Sequence, residues 1–89
     1  MVSREILIPN RSGMHARAAA LVAKEAQKYA ARVTLVKEGL EVNARSIMEV
    51  LMLAANQGSR VTIRAEGDDE AKALDALSRL MTDGFGETA

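Results

Sequence analysis

The sequence predicts an α+β fold: a two-layer open-faced sandwich in which a four-stranded, largely antiparallel sheet is covered on one side by three helices. Three observations lead there. The chain has 89 residues, nearly half hydrophobic and about a quarter charged, which suits one small domain over 1–89 with a single core. Four short segments alternate apolar and polar side chains, and three longer ones repeat apolar residues at helical spacing. Three amphipathic helices need a surface to cover, and a sheet supplies it.

Val2 to Ile8 carries Ile6 and Ile8 on one face and stops at Pro9-Asn10, which makes it the first strand. After the loop NRSG a helix is expected from Ala16 to about Ala31. Ala19, Val22, Ala23, Ala26 and Ala30 recur along it, opposite Lys24, Glu25, Gln27 and Lys28. RVTLV and LEVN flank KEG, with Val33 and Leu35 answered by Leu40 and Val42. Gly39, free to take positive φ, closes them into a hairpin. SIMEVLMLAANQG follows as a helix: Ser46 and Glu49 form an S-x-x-E capping box, and Gly58 can close the C-terminus. RVTIRAE alternates Val61, Ile63 and Ala65 against Thr62 and Arg64, a fourth strand. The last helix begins in GDDEA, whose three acidic residues suit a positive helix end. It sets Leu74, Leu77 and Met81 on one stripe before Gly84 stops it. The order is β-α-β-β-α-β-α.

Composition excludes several function classes. Twelve basic residues balance twelve acidic ones, so no net field draws the chain to nucleic acid or an anionic membrane. Tyr29 and Phe85 are too few to form a base-stacking platform. Without cysteine there is no disulfide, thiolate chemistry or zinc cluster, and a lone histidine makes no metal site. No cofactor is expected. The start, MVSREIL, reads as neither signal nor transit peptide. The longest apolar run, Val50 to Ala55, falls far short of the roughly 20 residues of a membrane span. A cytoplasmic chain without membrane insertion is the expectation.

The stretch that stands apart is SGMHARAAA, Ser12 to Ala20. It places the only histidine, His15, where a glycine-containing loop gives way to a strong helix former, with Arg17 two places later. The positive helix end disfavours imidazolium, and a neutral ring keeps the nitrogen lone pair that a nucleophile needs. If that nitrogen accepts a phosphoryl group, the same helix end and the Arg17 guanidinium stabilise the resulting anion. Each contribution is modest, about 0.3–1 kcal/mol at an exposed helix end, which suits a carrier that must give the group away. A histidine at a helix start is also commonly an incidental polar residue, and an arginine two residues on is commonly just solvated. No G-x-S-x-G elbow accompanies a hydrolase triad. The chemistry points to an anion-handling histidine.

At these residues a family resemblance enters. GMHARAAALV resembles the active-site segment of HPr, the histidine-containing phosphocarrier family of the bacterial phosphoenolpyruvate-dependent phosphotransferase system. VNARSIMEVLML resembles that family's second signature, built around a regulatory serine, and the two stand in family order and spacing. The resemblance covers essentially the whole chain. It implies that His15 carries the phosphoryl group on Nδ1, loaded by enzyme I and unloaded by a sugar-specific or regulatory acceptor. Arg17 maps onto the family's phosphate-stabilising arginine, and Ser12, Ala16 and Ala18 onto the phosphate loop. The family usually has proline where this chain has Ala18, so a preset φ is exchanged for a free N–H. Ser46 matches the site that an HPr kinase/phosphorylase modifies in part of the family. A good helix cap explains the same serine, and Glu49 one turn on would repel a phosphate there.

The second helix holds more apolar side chains than one sheet can bury: Ile47, Met48, Val50, Leu51, Met52 and Leu53. Some must face out. By resemblance, Ile47, Met48 and Leu51 form a partner-docking patch beside His15, rimmed by Arg17, Lys24, Lys28 and Arg45 to steer acidic partners. A carrier of this kind is not an enzyme with turnover and is expected to be monomeric. Sugar uptake and a regulatory relay both fit, and a serine-regulated partner of a transcription factor is a third role. From another class, a metabolite-binding regulatory domain shares the strand-helix order but does not need H-A-R at a helix start.

Overall fold

Alternation in the strands decides which face of the sheet is covered. In the computed structural model, which describes residues 1–87, strands β1 (Val2–Leu7), β2 (Arg32–Lys37), β3 (Leu40–Asn43) and β4 (Arg60–Glu66) form one antiparallel sheet in the order β1-β4-β2-β3. Ile6 lies opposite Val61, and Leu35 lies opposite both Ile63 and Val42. These side chains are all buried, in two neighbouring rows on the same face of the sheet. On the other face Arg64 pairs with Glu41 at 3.6 Å and Arg60 with Glu5 at 3.9 Å, exposed contacts that contribute about 0–1 kcal/mol each.

Helices α1 (Ala16–Ala26), α2 (Ile47–Met52) and α3 (Glu70–Thr82) cover the apolar face. Helix α1 buries Ala18, Ala19, Val22, Ala23 and Ala26, short side chains that let its backbone pack closely against α2 and α3. Helix α3 buries Ala73, Leu74, Leu77 and Met81 and packs on β1 and β4, while α1 lies against both other helices. The fold class and element order are those expected from the sequence.

Two helix ends differ from the sequence-based expectation, and each has a long-range cause. Helix α1 stops at Ala26 rather than near Ala31 because the Asp69 carboxylate takes the N–H groups of Ala30 and Ala31, at 2.9 and 2.7 Å. Ala30 is therefore exposed and belongs to no helical stripe. Helix α2 has six residues, and Gly58 does not close it. Ala54 turns left-handed at φ 49°, and the Lys37 ammonium donates to the Leu53 and Ala54 carbonyls at 3.1 and 3.3 Å. Gly58 instead lies in the turn into β4 and donates its N–H to Ile8 O at 2.8 Å. The capping box is half formed: Ser46 Oγ accepts from Glu49 N at 3.2 Å, but Glu49 Oε1 accepts from Asn43 N rather than from Ser46. The hairpin is tighter than KEG suggests, with Lys37 opposite Leu40 and both Glu38 and Gly39 at positive φ, as a two-residue type I′ turn requires.

Candidate functional site

The loop from Pro9 to His15 is built to hold one residue at the start of α1. Asn10 O accepts from Gly13 N at 3.1 Å, and the Asn10 amide donates to Gly13 O at 2.9 Å. Met14 N donates to Ala55 O at 2.8 Å, and the Met14 side chain is buried. His15 then occupies the N-cap position with extended backbone, and its carbonyl accepts the first helical bond, from Ala19 N at 2.8 Å. Ring and helix end remain distinct: the imidazole makes no capping bond to the helix. The N–H groups of Ala16, Arg17 and Ala18 precede that first helical bond and point out of the helix end. An imidazole nitrogen, oriented N–H donors and a guanidinium two residues on can together accept and hold a phosphoryl group.

One residue of the site had no sequence signal. Glu87, 72 positions from His15, accepts a hydrogen bond at its carboxylate from His15 Nε2. Its second oxygen accepts from the Asn10 amide at 3.0 Å. The His15 bond first, and the Asn10 bond second, hold the Glu87 carboxyl below its ordinary range against the opposing effect of burial, with the charges of His15 and Arg17 adding to the shift. No periodicity or motif links positions so far apart.

The expected site residues do not all converge. Arg17 and Ala16 are exposed beside His15, Ala18 is buried behind it, and Ser12 is exposed in the turn that leads in. Ala18 in the first helical turn is compatible with the bend that proline would preset, since its side chain packs fully into the core. Ile47, Met48 and Leu51 are exposed by 43, 78 and 37%, with Met52 beside them at 64%, and of α2 only Val50 is buried. Ala55 meets Met14 at one end of α2, while at the other Arg45 donates to the Tyr29 carbonyl and Gln27 donates to Arg45 O at 3.3 Å. The helices α1 and α2 therefore run antiparallel. The apolar patch lies between His15 and the Ser46 end, and Arg45 rims the far end.

Lys28 follows the last residue of α1 and is exposed. Positions 17, 20, 24 and 27 share the α2 side of α1, whereas Lys28 pairs at 3.2 Å with Glu25, which lines the groove toward α3 with Lys72 and Asp75. Among the described residues there is no cluster of His, Asp or Glu able to hold a metal ion, and no helix is long and apolar enough to cross a membrane.

This geometry agrees with what the chain resembles. A family model described as "PTS HPr component phosphorylation site" matches residues 2–83. Phosphocarrier protein HPr of Xylella fastidiosa (strain 9a5c) is 42% identical over 87 residues, covering 98% of each chain. Its counterpart in Cupriavidus necator is 44% identical over 87 residues, again covering 98% of each. The crystal structure of HPr-C-His from Thermoanaerobacter tengcongensis has a TM-score of 0.95 and 42% identity, with both chains covered in full. The helix-end histidine, the exposed second helix and the sheet order all lie within the matched span, and the chain belongs to the HPr family of phosphocarrier proteins of the phosphotransferase system.

Proposed function

We propose that this chain accepts a phosphoryl group from phospho-enzyme I on His15 Nδ1 and passes it to a sugar-specific or regulatory acceptor. The observation that carries this reading is the position of His15. Its ring stands at the N-terminus of α1 without capping it, ahead of the N–H groups of Ala16, Arg17 and Ala18. In the transfer a bond forms between Nδ1 and phosphorus as the bond from phosphorus to the donor breaks, the electron pair leaving with the donor. The N–H groups and Arg17 then face a dianion, which the helix end favours by an amount small enough to let the group leave again. The protein is a carrier, because the phosphoryl group rests on its own side chain between partners.

Docking falls to Ile47, Met48 and Leu51, with Arg17, Lys24 and Arg45 supplying positive charge to acidic partners. The protein works as a monomer whose single active face meets donor and acceptor in turn. Ser46 is the site of a second control, modification by an HPr kinase/phosphorylase. It is half-buried at the start of α2, at the edge of the exposed patch, where added negative charge opposes docking.

The test is incubation with enzyme I and phosphoenolpyruvate, followed by intact mass. An acid-labile gain of about 80 Da, absent in His15→Ala, is expected. A gain that survives His15→Ala would remove the assignment of the acceptor, and no gain in a folded protein would remove the reading. Arg17→Ala is expected to keep the reaction but slow it by about 10- to 100-fold, the worth of one charge-assisted contact.

A further inference from the structure

Glu87 reaches His15 because the chain reverses after α3. Gly84, Phe85 and Gly86 have φ of 68, 61 and 75°, and buried Phe85 anchors the turn in the core. Glu87 N donates back to Gly84 O at 3.1 Å. The carboxylate is then held from two sides, by the His15 ring and by the Asn10 amide, which also donates to Gly13 O in the loop that presents the histidine. Asn10 is itself 6% exposed, and its bond to Glu87 is part-buried.

An ionised carboxylate is an acceptor only, so a bond between it and Nε2 requires the proton to sit on Nε2. A neutral imidazole has a single ring proton, and the lone pair is then on Nδ1. From this geometry we infer that Glu87 is a positioning residue: it holds His15 in the Nε2–H tautomer and directs the Nδ1 lone pair to the phosphoryl donor. The inference rests on the phosphocarrier reading and adds to it a residue from the far end of the chain.

During transfer the Nε2 proton stays where it is, between ring and carboxylate, while the Nδ1–phosphorus bond forms and the donor departs with its electron pair. Positive charge that develops on the ring is met by Glu87, the division of labour by which an aspartate fixes a histidine tautomer in hydrolase triads. The carboxylate also repels the incoming phosphoryl oxygens. It does so from the opposite nitrogen, whereas the helix N–H groups stand at the end that α1 presents.

The experiment uses the full chain with the ring nitrogens of His15 labelled with 15N, in alkaline buffer where the ring is neutral, alongside Glu87→Ala and Glu87→Gln. The wild type is expected to show a pyrrole-type signal for Nε2 and a pyridine-type signal for Nδ1. In Glu87→Ala the two signals should move toward each other as tautomers mix, and the initial rate of phosphorylation by enzyme I should fall about 3- to 10-fold. Glu87→Gln, whose amide oxygen still accepts, should keep the wild-type signals and lose part of the rate. Wild-type signals that report an Nδ1–H or mixed ring would overturn the inference. So would a Glu87→Ala variant with unchanged signals and rate, or one that reacts faster, which would make the tail a cover. If the wild type takes no phosphoryl group, the phosphocarrier reading fails, and the ring signals still decide the tautomer.

Discussion

At Gly13 the backbone has φ +64°, and a Cβ there would stand 2.5 Å from Ala55 O and 2.9 Å from Asn56 Cα. Both neighbours are backbone atoms, so neither can step aside as a flexible side chain could. Gly13→Ala is therefore expected to cost about 2–4 kcal/mol in urea unfolding, from the clash and the left-handed backbone together. Because Gly13 O also accepts from Asn10, the same change should slow phosphorylation of His15 through displacement of the loop. A variant of wild-type stability would show that the loop is not locked here. Glycine in NRSG was legible as a turn signal; the close approach to Ala55 was not, since it depends on a segment some forty positions later.

Among the elements, α2 shows how a short helix is held. With six residues it cannot persist on propensity alone, and its ends are tied by Ser46 Oγ at the start and Lys37 Nζ at the finish. Ser46→Ala should lower the unfolding free energy by about 1 kcal/mol, measured by denaturant titration, whereas Ser46→Asp retains a cap and should lose less. An unchanged midpoint for Ser46→Ala would mean that the Glu49 bond contributes nothing. The junction between α1 and β2 depends on Asp69 in the same way. In Asp69→Asn an amide group replaces one of the two accepting oxygens, so hydrogen exchange at Ala30 and Ala31 should accelerate while the centre of α1 stays protected.

At the scale of the molecule, three carboxyls among the described residues titrate below their ordinary range in the folded state. Asp69 is held down by the N–H of Ala30 and then that of Ala31, Glu70 by the N–H of Gly67, and Glu87 by His15 and then Asn10, each against the effect of burial. Lowered folded values mean that the unfolded chain binds more protons in acid. The stabilisation is present above the unfolded carboxyl pKa of about 4 and is lost as pH falls through the folded values. Urea unfolding should show stability roughly flat from neutrality to about pH 5 and falling below about pH 4, with a shallower fall in Asp69→Asn. Stability that rises on acidification would contradict these assignments. The exposed patch makes a separate claim at this scale. Met48→Asp should leave stability within about 0.5 kcal/mol of wild type. It should raise the KM for enzyme I about tenfold, the size of one interface contact.

The sequence by itself determined the four strands, the three helices and the histidine at a helix start, because side-chain periodicity, turn residues and H-A-R are local and need no knowledge of the rest of the chain. It also showed that α2 has more apolar surface than it can bury. Only the tertiary structure decided where the helices end, since Asp69 stops α1 and Lys37 closes α2 from other elements. The same holds for Glu87, brought to His15 by a reversal after α3. Hydrogen bonds between groups distant in sequence leave no periodic trace, so the helix boundaries and the carboxylate on Nε2 had to wait for the packed chain.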